Sequence, residues 1–195
     1  MPFDLGAGSG ADTGATAKGW HWGDDIVFDP NNAESGVDVE GCGYTKATSM
    51  IWKEIVQDVL VDKCGYSSRD VHVLGWGQGG GVGLSVASVA QRDGKGELGG
   101  VLSLGGALPE ETRRKSGELK CKTPVLVCHG SKRSAITVDR AKELKERFEA
   151  CEFARWQREG DGMATNREEM LPIMRFYGRR LRSRAGVPEG AVEVG

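Results

Sequence analysis

The residues best placed to do chemistry lie in one glycine-dense stretch, Val71 to Gly81, which reads Val-His-Val-Leu-Gly-Trp-Gly-Gln-Gly-Gly-Gly. A short apolar run, Val71 to Leu74, breaks at Gly75. From Val82 the pattern turns helical, with Val82, Val86, Val89 and Ala90 on one face. Strand, sharp turn and helix together make up two different kinds of site. In the nucleophile elbow, Gly-x-Ser-x-Gly, a strained turn lifts a serine above a sheet. In the dinucleotide fingerprint, Gly-x-Gly-x-x-Gly, backbone amides and a helix N-terminus hold a pyrophosphate. Gly75, Gly77 and Gly80 fit the fingerprint literally. The stretch fits the elbow everywhere except at the reacting residue, because position 77 is glycine.

The other reactive side chains point to blander roles. Cys128 sits in an apolar run and reads as core rather than as a nucleophile. His129, at the end of that run and before a glycine, reads as a local hydrogen-bonding residue. Ser85 and Ser88 lie along the helix after the turn, not at its mouth. The five cysteines (42, 64, 121, 128 and 151) form no Cys-x-x-Cys pair, which suits reduced thiols in a cytoplasmic protein. None of His21, His72 and His129 sits at ligand spacing from a cysteine, so no metal site is expected. A bound dinucleotide calls for an acidic residue about 20 positions after the glycines, at the far end of the next strand. That strand ends in Leu104-Gly105-Gly106, and Glu97, at the right count, precedes it. No cofactor is therefore expected, and Gly75, Gly77 and Gly80 as a nucleotide site are kept as an alternative. Arg175, Arg179, Arg180, Arg182 and Arg184 read as the solvated, dipole-compatible end of the last helix rather than a nucleic-acid surface.

The elements that must position these residues are legible from periodicity. Ala47, Ile51, Ile55 and Val59 recur every four residues and predict a helix over 45–63, with Gly65 as its stop. Apolar runs predict strands at 70–75, 98–104, 124–129 and, more weakly, 153–157. Ala141, Leu144 and Phe148 mark a helix opened by Thr137. Met170, Met174, Tyr177 and Leu181 mark another, opened by Asn166 with Glu169 as its capping box. Continuous apolar strands alternating with helices imply a parallel sheet covered on both faces.

Residues 2–43 carry eight acidic residues against Lys18 alone and show little periodicity. They are expected to be irregular, with Trp20, His21 and Trp22 anchoring the loop or lining a pocket. The basic end of the last helix is a candidate partner for this acidic stretch. The organisation expected is an irregular segment at 1–43, an α/β domain at 44–184 and a tail at 185–195. A length of 195 residues suits one domain, and a net charge of −2 gives no reason to expect a polyanion partner. No apolar run approaches the roughly 20 residues of a membrane span. The start, Met-Pro-Phe-Asp-Leu-Gly, lacks a basic and apolar leader pattern, so a cytoplasmic location is expected.

Leu74-Gly75-Trp76-Gly77-Gln78-Gly79-Gly80 resembles the Gly-Phe-Ser-Gln-Gly-Gly elbow of the phospholipase/carboxylesterase family of α/β hydrolases, which includes the acyl-protein thioesterases. Downstream landmarks keep the order of that family. Gly100 to Pro109 is similar to its Gly-Val-x-x-Leu-Ser-x-x-Leu-Pro strand, and Thr123 to Gly130 to its His-Gly strand. Gly162-Met163, followed by Glu168-Glu169-Met170, is similar to its last loop and helix, and Phe3-Asp4 to a Phe-Asp pair near an earlier strand. The resemblance covers about residues 44 to 182.

The resemblance implies an α/β-hydrolase-like three-layer sandwich with a mostly parallel sheet of about four strands, incomplete at its N-terminal side. It also implies a serine, a histidine and an aspartate acting together on an acyl carbonyl. Carried over, the nucleophile slot falls on Gly77, the acid slot on Arg133 and the base slot on Thr165, in a loop shortened by two residues. Gln78 keeps the backbone N–H that serves an oxyanion hole. Arg133 is permanently positive where a negative charge would stabilise an imidazolium, and loss of a whole triad costs on the order of six decades of rate. The family's upstream strands and His-Gly-x-Gly loop have no counterpart, which leaves the elbow strand at a sheet edge open to a missing segment or another chain. The expectation is a catalytically inactive relative of serine carboxylesterases and thioesterases with a binding or scaffolding role, its partner a small acyl-type ligand or a protein. The alternatives are an active ester or thioester hydrolase with unplaced catalytic residues, and a dinucleotide-binding protein.

Overall fold

The alternation of apolar runs and helical patterns is realised as a four-stranded parallel sheet with helices on both faces. The computed structural model describes residues 2–4, 18–20, 22–23, 43–114 and 117–181. The sheet consists of β3 (His72–Trp76), β4 (Gly100–Leu104), β5 (Val125–Lys132) and β6 (Cys151–Glu159), in that spatial order. Neighbours are in parallel register, for example Leu74 beside Leu102, Leu102 beside Leu126, and Cys128 beside Ala154. The helices are α1 (Thr45–Met50), which runs on in π-helical form through Ile51–Lys63, then α2 (Gln78–Arg92), α3 (Val138–Arg147) and α4 (Arg167–Gly178). Gly65 ends the first helical stretch at φ +75°, its N–H donating to the Val61 carbonyl, so the glycine stop lies where the sequence predicts it.

Strand periodicity divides the core in two. Val101, Val125 and Val127 point to one face, where they pack with Trp52, Val56, Val82 and Leu144 from the first helical stretch, α2 and α3, and with Phe148 just past α3. Leu102, Leu104, Leu126, Cys128, Ala154 and Trp156 point to the other, under Ile173 and Phe176 of α4. Burial of both faces of β4 and β5 explains why these strands read as unbroken apolar runs. The outer strand β6 alternates between buried and exposed residues, so its apolar run understates its length, which reaches Cys151–Glu159 rather than 153–157. Phe148, placed by its spacing on the face of α3, is instead the extended residue that ends the helix, and it is still buried.

Two short strands fall inside the segment that periodicity leaves irregular. β1 (Pro2–Asp4) pairs antiparallel with β2 (Lys18–Trp20), Phe3 opposite Gly19. Three residues without alternation give no period to detect, which is why the pair is invisible in the sequence. His21, Arg182, Arg184, the tail at 185–195 and most of the acidic stretch lie outside the described residues. Arg179 and Arg180, by contrast, both meet the Glu152 carboxylate.

β3 forms one margin of the sheet among the described residues. Leu74 and Trp76 there are 52% and 61% exposed, whereas β4 is buried throughout.

Candidate functional site

The bend between β3 and α2 is built by close packing. A Cβ on Gly75 would lie 2.2 Å from the Gly79 carbonyl oxygen, and one on Gly80 would lie 2.4 Å from Ser103 Oγ. Both glycines are therefore required for the helix to approach the sheet, which accounts for two of the three fingerprint positions without a nucleotide. Gly77 is different. It sits at φ 53°, ψ −121°, a conformation side-chain-bearing residues rarely adopt, yet a Cβ there would meet nothing within 4 Å. Its N–H donates to the Leu104 carbonyl at 2.9 Å, and its own carbonyl accepts from Gly80 and Gly81 at 3.0 and 3.2 Å. The chain is thus held in the positive-φ strand-to-helix turn that a nucleophile elbow uses, with glycine at its apex.

Above the bend lies a cleft of about 540 Å³. Gly77, Gly81, Gly105 and Gly106 are among the residues lining it, with Arg113 and Arg140 on its walls. The Arg113 guanidinium lies 3.2 Å from Glu110 and 3.1 Å from Glu143, and Arg140 Nη1 donates to the Ala135 carbonyl at 3.0 Å. Gln78 also faces the cleft, and its Oε1 accepts the Trp22 N–H at 3.2 Å. The Trp22 ring flanks Gly79 and lines a smaller apolar cavity with Ile51, Val73 and Val82, so it both anchors the loop and walls a pocket.

Of the four positions carried over from the family pattern, Gly77 and Gln78 line the cleft, while Arg133 and Thr165 do not. Arg133 stands in a left-handed turn at φ 49°, its side chain largely exposed and 3.7 Å from the Glu159 carboxylate. Thr165, just before the N-cap Asn166, is engaged with Glu169 of α4. Its N–H and hydroxyl donate to Glu169 Oε2 at 2.9 and 3.1 Å, while Arg158 Nε donates to Oε1 at 2.9 Å. Burial alone would raise the Glu169 carboxyl, but these donors outweigh it and hold it below its ordinary value.

A residue that pattern reading missed occupies the space between these loops. Asp161 follows β6, and its carboxylate reaches the loop after β5. Oδ1 accepts from the Gly130 N–H at 2.9 Å, and Oδ2 accepts from the Ala135 N–H at 2.8 Å and the Ser134 hydroxyl at 3.1 Å. Its only sequence signal is a Gly-Asp-Gly tripeptide beside the base slot, and carboxylates in glycine turns are common.

The remaining candidates take their bland roles. His129 Nδ1 lies 2.9 Å from the Gly130 carbonyl. Burial pushes the Cys128 thiol up to about 12, far from a thiolate nucleophile at neutral pH. Ser85 and Ser88 donate back to the Gly81 and Leu84 carbonyls within α2. Glu97 pairs with Arg69 near the start of β4, at the opposite end of the sheet from Gly77. Among the described residues no cluster of three metal-ligating side chains occurs.

A parallel sheet with helices on both faces and a positive-φ apex between a strand and the helix after it together define the α/β-hydrolase class. The family model described as Phospholipase/Carboxylesterase matches residues 8–176, and the chain belongs to that family. The match begins well upstream of residue 44 and takes in most of the acidic segment. Among solved structures, SOBER1 of Arabidopsis thaliana is 23% identical with a TM-score of 0.56, over 86% of this chain and 77% of that one. A point variant of SOBER1 is 24% identical with a TM-score of 0.52, over 71% and 65%. The Bacillus cereus carboxylesterase is 16% identical with a TM-score of 0.53, over 72% and 65%. The chain thus spans just under two thirds of the latter two, and at these identities the likeness is one of fold. No curated protein matches the chain.

Proposed function

We propose that this chain is a catalytically silent member of the phospholipase/carboxylesterase family that binds a small acyl-type ligand in the cleft above Gly77 without cleaving it. The observation that carries the proposal is Gly77 itself, whose backbone keeps the elbow conformation while offering no nucleophilic atom. Arg133 and Thr165, engaged with Glu159 and Glu169, leave that apex without an acid–base pair. The test has two arms. A fluorophosphonate probe should label no serine, and calorimetry with p-nitrophenyl butyrate should register binding with no release of p-nitrophenol. Labelling of any serine would favour an active ester or thioester hydrolase. A thermal shift with NAD(P) would favour a dinucleotide at Gly75, Gly77 and Gly80 instead. The unpaired thiols of Cys64, Cys121, Cys128 and Cys151 support a cytoplasmic location, and among the described residues no helix is long and apolar enough to cross a membrane.

The exposure of Leu74 and Trp76, on the strand that ends the sheet among the described residues, favours a second reading, in which β3 pairs with another strand and the protein acts as a scaffold. Sedimentation of the wild type and Trp76→Lys separates the two. A mass that falls in the variant supports edge pairing, and a monomeric wild type removes self-pairing.

A further inference from the structure

In a working triad the acid comes from the loop after one strand and the histidine from the loop after another, and the hydrogen bond between them also ties the two loops together. That bond is not available to Arg133 and Thr165. The two loops are nevertheless joined, and with the roles exchanged. The carboxylate is Asp161, from the loop after β6, and the donors are Gly130, Ser134 and Ala135, in and after β5. Ser134 Oγ in turn accepts the Ile136 N–H at 3.0 Å, so one carboxylate organises the whole turn into α3. Ala135 passes this order to the cleft, because its carbonyl accepts from Arg140 Nη1 and both residues line the cleft wall. The cleft floor is fitted to the same carboxylate. A Cβ on Gly105 would lie 2.2 Å from the Asp161 Cβ and 2.9 Å from its Oδ2, so the side chain occupies the space that glycine leaves free.

We propose that Asp161 is the positioning residue of the cleft: its carboxylate joins the loops after β5 and β6 and sets Ala135 and Arg140 against the glycine floor. Its consequence for ligand affinity rests on the binding function proposed above; its consequence for the loops does not. Each interaction is a hydrogen bond to a charged acceptor, whose loss corresponds to roughly tenfold or more in an equilibrium constant.

The experiment combines site-resolved amide hydrogen exchange with calorimetry, using p-nitrophenyl butyrate as the probe. In Asp161→Asn, the Gly130 and Ala135 amides should exchange about tenfold faster, while those of Val125 to Cys128 stay protected as in the wild type. Affinity for the ester should fall by about tenfold. Gly105→Ala should reproduce both effects by displacing the carboxylate. The double variant Gly105→Ala/Asp161→Asn should lose no more affinity than the worse single variant, a coupling that a residue serving only global stability would not show. Ser134→Ala, which removes one donor of the three, gives a milder version of the same pattern should Asp161→Asn fail to fold. Unchanged exchange at Gly130 and Ala135, or strictly additive affinity losses, would overturn the proposal. A wild type that does not bind the ester overturns the binding function instead, and the exchange arm still decides the role of Asp161.

Discussion

The bend at Gly77 and the loops after β5 and β6 differ in what holds their shape. The bend keeps its geometry. Its φ of 53°, the packing of Gly75 and Gly80, and the hydrogen bonds around the Gly77 carbonyl leave the apex facing open space. The loops are held by side chains instead. Arg133 turns outward to Glu159, Thr165 donates to Glu169, and Asp161 makes a connection of its own. The difference follows from what encodes each region. The bend is written in Gly75 and Gly80, where a side chain would collide with the Gly79 backbone and Ser103, so it persists as long as the fold does. The loops are written in solvent-facing polar side chains, which can change without unfolding anything.

Four substitutions test this difference, the most damaging first. Gly75→Ala should be the most damaging, since its Cβ would meet Gly79 backbone at 2.2 Å. A loss of about 3 kcal/mol or more in a denaturant melt is expected, and a small loss would show that the bend is not held by packing. Gly77→Ser should cost only the strain of a positive φ, about 1–3 kcal/mol, because nothing lies within 4 Å of the new Cβ. It should fold and still release no p-nitrophenol from p-nitrophenyl butyrate; turnover would mean that a base stands near the bend after all.

Glu169→Gln tests the loop side and should cost about 1.5 kcal/mol through its bonds to Arg158 and Thr165. Because the folded carboxyl is held below its ordinary value, its contribution is complete at neutral pH and is lost as the pH falls through that lowered value. Acid titration of the melting temperature should therefore be steeper in the wild type than in the variant, and identical acid limbs would remove Glu169 from the account. Arg133→Asn should change stability by no more than about 0.5 kcal/mol, since the side chain is exposed and asparagine tolerates the left-handed turn. A larger loss would mean that the Arg133 side chain supports the loop.

Much of this architecture is legible in the order of residues alone. The parallel sheet, the helix starts at Thr137 and Asn166 and the glycine stop at Gly65 are where the sequence puts them, although the Glu169 carboxylate takes the Thr165 N–H rather than the Asn166 N–H that a capping box calls for. The elbow is readable because its glycines are close together in the chain and answer to one local constraint. Asp161 is not, because its importance lies in partners 26 to 31 residues away, and nothing in a Gly-Asp-Gly turn announces them. β1 and β2 are hidden for a simpler reason, being too short to show a period.

The glycine floor of the cleft restricts how this protein can change. Gly105 and Gly106 would press a new side chain to within 2.2 and 2.5 Å of Asp161 and the Gly77 carbonyl, and Gly81 leaves a tight 3.0 Å to Ala107. A visiting molecule meets peptide groups there and little else. Position 77 alone on this floor has headroom, so it is the one place where the floor can take on a side chain without a clash.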